Sequence, residues 1–157
     1  MKKLDNRGFS LTELIVVIAI IGILAGVVSA SVNYIFTNKT RKFVNDCNAM
    51  LTPSRVETLS GAPANTNVEL GLGADNRYYV AFYKNGIEEE LKVCSNTNVT
   101  CSYTMGGVEV SVVSGTPPLR LSFNRTTGAM NEQCTEIDIS GSTITLVPAT
   151  GYHRTGG

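Results

Sequence analysis

Glu13 is the only charged side chain between Gly8 and Val28, in a run otherwise dominated by leucine, isoleucine, valine, alanine and glycine. A carboxylate held at mid-membrane in such a stretch costs about 2.5–3.5 kcal/mol, and less near the surface. A plain anchor gains nothing from it. Cleavage between Gly8 and Phe9 supplies a reason. It frees an amine at Phe9, four residues before Glu13 and on the same helix face, so the acid acquires a cation from its own chain or from a neighbouring copy. Two other readings compete. A secretory signal peptide has a basic start and an apolar run ending in a small-residue cleavage site, which Val28-Ser29-Ala30-Ser31 imitates. A simple membrane anchor fits the length alone.

The remaining chemistry is sparse. His153 is the single histidine, and the cysteines lack the C-x₂-C pairs that structural zinc prefers. No catalytic residue, metal or cofactor is assigned, and the chain reads as a non-enzyme. Cys47, Cys94, Cys101 and Cys134 all follow the apolar run, on the side that export would expose to oxidising conditions. Three pairings are open. Cys94 and Cys101 enclose a short polar loop suited to a local bridge, which leaves Cys47 for Cys134. Free buried thiols are the alternative. Glu88-Glu89-Glu90 reads as a solvated face or an edge guard before it reads as a cation site. His153 and Arg154 near the C-terminus offer a weak, salt-sensitive contact for DNA phosphates, against the competing account of a disordered terminus.

The elements that position these residues follow from periodicity. From Phe9 to Val28 is roughly 20 residues, or about 30 Å of helix, enough to cross a bilayer core. Before it lies a basic leader with Lys2, Lys3 and Arg7 against Asp5. Beyond it Val32, Phe36, Thr40, Phe43, Cys47, Met50 and Leu51 recur at helical spacing, with Lys39, Arg41, Lys42, Asn45 and Asp46 on the other sides. One helix is therefore expected, apolar all round at first and amphipathic later. Gly22 and Gly26 are its weak spots. Pro53 is expected to kink or end it, with a short second helix over Arg55–Leu59.

After Pro63 the period changes to two. Strands are expected over 77–84, 87–94, 99–103, 108–113, 119–123, 136–139 and 143–147, with tight turns at Asn85-Gly86 and Gly141-Ser142. Tyr79 and Tyr83 fall on one face of their strand and Tyr78 on the other. The fold class is α+β, a long helix against an antiparallel meander. The boundaries are 1–8 for the leader, 9–52 for the helix (9–28 transmembrane, 29–52 amphipathic) and 53–157 for the β domain. Thirteen basic residues balance thirteen acidic ones over the whole chain, so no general nucleic-acid footprint appears.

Gly8-Phe9-Ser10-Leu11-Thr12-Glu13-Leu14 and the apolar run behind it resemble the prepilin signature of type IV pilins and type II secretion pseudopilins. The resemblance implies a pilin-like fold, cleavage after Gly8 by a prepilin peptidase and N-methylation of Phe9. It further implies pairing of Glu13 with the amine of an adjacent subunit. The implied partners are other pilin subunits, the peptidase, an inner-membrane assembly platform and the lipid bilayer. The implied locations are the cytoplasmic membrane as a single-pass protein, then a pilus at the cell surface. Ser54-Arg55-Val56-Glu57, Leu121-Ser122-Phe123-Asn124 with Gly128, and Ile137-Asp138-Ile139-Ser140 through Gly151 are loosely similar to tip-located minor pilins and pseudopilins, whose globular domain has two sheets. A minor pilus subunit is the expected role. A secretion-system pseudopilin and a membrane-tethered binding domain that never polymerises are the alternatives.

Overall fold

The computed structural model describes residues 10–60 and 65–156, apart from the side chains of 29–33, 35 and 36. Its elements are a helix α1 (Leu11–Leu59) and nine strands: β1 (Thr66–Leu72), β2 (Tyr78–Lys84), β3 (Ile87–Val93), β4 (Cys101–Met105), β5 (Val108–Ser111), β6 (Leu119–Ser122), β7 (Cys134–Ile139), β8 (Ser142–Val147) and β9 (Tyr152–Gly156). The chain divides into two compact units between Thr37 and Asn38.

In the first unit every described side chain up to Val28 is exposed. Leu11–Val28 is long and apolar enough to cross a membrane, with a mean hydropathy of 2.7 and none of it buried in the protein. The helix passes Gly22 and Gly26 without a break.

In the second unit the helix buries one stripe. Thr40, Phe43, Val44, Cys47, Met50, Leu51, Ser54 and Thr58 are buried, while Lys39, Arg41, Lys42 and Asn45 are exposed. Contrary to the expected stop at Thr52, α1 continues through Pro53 to Leu59, so the stretch expected as a second helix is the end of the first. Proline removes one donor, the one that would reach Ala49, and both Ala49 and Pro53 are exposed. The orphaned carbonyl therefore faces water, and the buried stripe is untouched. The helix end is fastened by polar bonds in the core. The Thr58 hydroxyl donates to the Ser54 carbonyl at 2.7 Å, and the Thr66 hydroxyl donates to the same carbonyl at 3.0 Å.

The strands form two antiparallel sheets, not one meander. One has the order β3-β2-β1-β6 and the other β5-β4-β7-β8-β9. β6 returns to pair with β1, Leu119 opposite Leu70, and β7 pairs with β4, Ile139 opposite Cys101. Neither return is visible to periodicity. Asn85 and Gly86, at φ +54° and +79°, make the expected hairpin turn. The later turn falls on Ser140 and Gly141, at φ +52° and +82°, one residue before the expected pair. The core is built from Phe43 and Leu51 of the helix, the inward rows of both sheets such as Val80, Leu121, Ile139 and Ile144, and all four cysteines.

Two strands were absent from the expectation. β1, central in its sheet, hides its alternation because Glu69 is buried along with Val68 and Leu70. β9 replaces the disordered terminus. Its residues pair with β8 from Tyr152 opposite Val147 to Gly156 opposite Thr143.

Candidate functional site

Gly8 and Phe9, the expected cleavage and methylation positions, lie outside the described residues. Glu13 is described, and its carboxylate is engaged. Oε2 accepts the Ser10 backbone N–H at 2.9 Å and the Ser10 hydroxyl at 3.0 Å, while the Glu13 N–H donates to Ser10 Oγ at 3.2 Å. This reciprocal pair is a capping box, with Ser10 at the N-cap and Glu13 three residues on. The Leu14 N–H donates to the Ser10 carbonyl at 3.2 Å and starts the helical ladder. The Ser-x-x-Glu signal was present in the sequence, and Ser10 is the residue that motif reading left without a role. It corrects one step. Even a plain anchor gains from Glu13, because the acid satisfies orphaned donors and complements the helix dipole at its own N-terminus.

Glu13 shares its face with Val16 and Val17, which with Ser10 and Thr12 line a shallow depression. Outside water, an exposed carboxylate beside two valines is a seat for a cation. Both Ser10 bonds fall on one of its oxygens, so the group can keep its cap while it meets a positive charge.

The second unit holds the other expected site residues. All four cysteines are buried free thiols in this structure. Burial pushes the Cys47 thiol well up, with Cys101, Asp46 and Cys94 adding to it. Cys101 is pushed up to about 12, first by burial and then by Asp138 and Cys94. Cys134 is pushed up to about 11, first by burial, and its thiol donates to the Glu136 carbonyl at 3.7 Å. Thiols kept protonated are poor nucleophiles and poor metal ligands. Among the described residues, no group of three or more histidine, cysteine or acidic side chains is arranged to hold a metal ion.

His153 is partly buried, and its Nε2 lies 3.1 Å from Thr52 Oγ1, tying β9 to the helix. Burial pulls its pKa down, the Gly151 carbonyl opposes that, and Arg55 reinforces it. Arg154, next to it, is exposed. Glu88-Glu89-Glu90 lies on β3, an exposed edge strand, where Glu88 accepts the Tyr83 hydroxyl at 3.3 Å and Glu90 pairs with Lys92 at 2.9 Å. That is the edge-guard arrangement. On the outer face of the same sheet Tyr79 donates to Glu69 at 2.7 Å, and Arg120 meets the other Glu69 oxygen at 2.8 Å.

The loosely matched residues converge in space. Arg55 donates through Nη2 to the Thr150 carbonyl at 2.9 Å and through Nε to the Gly128 carbonyl at 3.4 Å. Gly151, at φ +65°, packs so closely on that Gly128 carbonyl that an added methyl would collide with it. Arginine and two glycines thus join the helix end to two loops.

Residues 3–29 match the family described as the prokaryotic N-terminal methylation motif. The match takes in most of the basic leader, the Gly8-Phe9 junction, Glu13 and the apolar helix to residue 29, and it ends before the second unit. No curated protein and no solved structure matches the chain. A helix that could cross a membrane, headed by a capped acid, fits membrane insertion followed by assembly into a surface filament, and a structural subunit in preference to an enzyme. In its first 29 residues the chain carries the signature of type IV pilins and pseudopilins.

Proposed function

We propose that this protein is a minor structural subunit of a type IV pilus. It waits in the cytoplasmic membrane as a single-pass prepilin, loses residues 1–8 to a prepilin peptidase, is N-methylated at Phe9, and enters a surface filament through the assembly platform. The observation that carries the reading is Glu13 at the head of an apolar helical stretch, residues 11–28, whose side chains are exposed on all sides. Such a helix needs lipid before assembly and neighbouring helices after it. Packing against those neighbours replaces an environment worth roughly 0.8 kcal/mol per methylene.

In a filament core, an unpaired carboxylate is penalised far more than one paired with the Phe9 amine of an adjacent subunit. Glu13 therefore sets subunit register. Residues 53–157, with the preceding amphipathic helix, form the extracytoplasmic domain that coats the fibre. The meeting of Arg55 with Gly128 and Gly151 supports the minor-subunit assignment, since these are the positions of the looser resemblance. Nucleic-acid capture is not part of this reading. His153 is engaged with Thr52, and the pair leaves Arg154 as one cation, too little for firm phosphate binding.

Mass spectrometry of the mature N-terminus tests the proposal. N-methylphenylalanine derived from Phe9 is expected. An intact Met1 despite an active peptidase, or a start near Ser31, overturns it. Glu13→Ala is expected to insert into the membrane normally and to be missing from sheared filaments. Normal incorporation would remove the register role.

A further inference from the structure

The outer face of the four-stranded sheet carries a pocket of about 330 Å³ to which filament assembly gives no task. Its floor is Tyr79 and Tyr83 of β2 with Leu91 and Val93 of β3. Register sets these on one face, with Val93 opposite Tyr79 and Glu88 opposite Tyr83. Glu88 closes one end, and Asp75 and Arg77 of the turn between β1 and β2 close the other. Leu91 and Val93 are exposed, so the apolar wall faces outward.

Tyr79 lies down across the neighbouring strand. A methyl added to Gly71, the residue opposite it, would meet the Tyr79 hydroxyl at 2.8 Å and its Cζ at 2.9 Å. One ring face therefore covers Gly71, and the other is turned to the pocket. The hydroxyl reaches on to Glu69, donating at 2.7 Å, while Tyr83 donates to Glu88 at 3.3 Å. Both rings thus hand their hydroxyl protons to carboxylates. Such charge-assisted bonds push electron density back into the ring and deepen the negative potential over its face. Burial first, and then these acids, push both tyrosine pKa values up, Tyr79 to about 12, so the donating protons stay in place.

Around the rings, the carboxylates of Glu69, Glu88 and Asp75 face two guanidinium groups. Arg120 is committed to Glu69 at 2.8 Å, and Arg77 lies 3.7 Å from Asp75. Glu88 is the acid left over. A primary ammonium asks for three acceptors, and a metal ion asks for converging ligands. Among the described residues, no three acidic, histidine or cysteine side chains are so arranged. Electron-rich rings, an apolar wall and one surplus carboxylate suit a cation clothed in methyl groups. We propose that this pocket binds a small quaternary ammonium ion of the choline type, its methyls against Tyr79, Tyr83, Leu91 and Val93 and its charge facing Glu88.

The full chain, in a maltoside detergent that carries no ammonium group, is titrated with choline. Binding is read from the N-methyl proton resonance, which stacking on tyrosine rings is expected to shift upfield and saturably. 3,3-Dimethylbutanol, the same shape with carbon in place of nitrogen, is expected to bind more weakly, as is ethanolamine. Phosphocholine is also expected to be weaker, because its phosphate meets Asp75 and Glu88. Tyr83→Leu should weaken choline binding about 2- to 30-fold and Glu88→Gln about 2- to 5-fold. Arg77→Ala removes a like charge and should tighten it, a change that a damaged fold does not produce. Absence of a saturable shift, equal binding of the neutral isostere, or tighter binding of ethanolamine or phosphocholine each overturns the proposal. So does an affinity unaltered in both Glu88→Gln and Arg77→Ala. The pocket is read on the folded globular unit, so a failure here leaves the filament reading untouched.

Discussion

Residues 11–28 and 40–58 belong to one helix and are similarly regular, yet they bury their side chains in opposite ways. Ile18 is 58% exposed and Leu24 58%, whereas Phe43 is 2% exposed and Leu51 1%. Helix formation does not distinguish the two stretches. Their surroundings do. The first is apolar on every side and its side chains are exposed, so lipid or other helices must cover it. The second is apolar on one stripe and carries lysine and arginine on the rest, so its own sheets cover it. A single element thus holds an intermolecular surface and an intramolecular one in sequence, and the change is marked by the first cations after Glu13, at Lys39, Arg41 and Lys42.

The sharpest way to break that contrast is to truncate one apolar residue in each stretch. Phe43→Ala is expected to destabilise the globular unit by about 3–5 kcal/mol, because it opens a cavity in a closed core. Ile18→Ala removes a similarly apolar side chain that has no protein packing to lose, and is expected to leave that unit's stability unchanged. Urea unfolding of the full chain in detergent, followed by near-UV circular dichroism of the tyrosines, reads both. Equal losses would mean that the two stretches are not separately covered.

Glycine offers a second, smaller test of the same contrast. At Gly22 an added methyl meets nothing within 4 Å, and at Gly151 it meets the Gly128 carbonyl in a left-handed backbone. Gly22→Ala is expected to be neutral, or to stabilise the isolated subunit by up to about 1 kcal/mol through helix propensity. Gly151→Ala is expected to cost about 1–3 kcal/mol, since the strained backbone and the displaced carbonyl both oppose it. It also loosens the hold of Arg55 on the two loops, so the same unfolding curves should show Arg55→Ala and Gly151→Ala to be less than additive.

What could be read from sequence divides along the same line. The first stretch was legible because its signal is local. Length, hydropathy, the basic leader and one acid in register carry it, and Ser10 was within reach through Ser-x-x-Glu. The amphipathic stripe from Thr40 to Leu51 was legible by spacing. Pro53 misled, since the cost of a missing donor depends on whether its carbonyl partner faces water, and that depends on tertiary placement. The β2–β3 hairpin announced itself through Asn85-Gly86. The split into two sheets was implied by the looser resemblance but not by periodicity, because the pairing of β6 with β1 spans residues far apart in sequence and leaves no periodic trace. β1 was hidden by Glu69, an acid buried with Tyr79 and Arg120 as partners. Cysteine pairing was assigned from loop length alone, and burial of all four cysteines in the core left no trace in their spacing.

The smallest effect is expected at β9, where the globular unit has its last strand. His153 sits partly buried against the helix with its pKa held below the ordinary histidine value by burial and by Arg55. The unfolded chain therefore binds a proton at a higher pH than the folded one does. The sign follows from linkage: the docked strand has its full stability above the unfolded value of about 6.5 and loses part of it as pH falls through that range toward the folded pKa. Protonation places a charge in a poorly solvated position near a guanidinium, and the contact with Thr52 weakens. Hydrogen exchange of the Tyr152–Gly156 amides, compared at pH 7.5 and pH 5.5 after correction for intrinsic rates, should report lower protection at the acid pH. In His153→Gln that difference should be reduced, while the amides of 11–28, which face no titrating histidine in their own unit, keep theirs unchanged. If β9 keeps its protection at pH 5.5 in the unsubstituted chain, the histidine is not the group that holds the last strand to the helix.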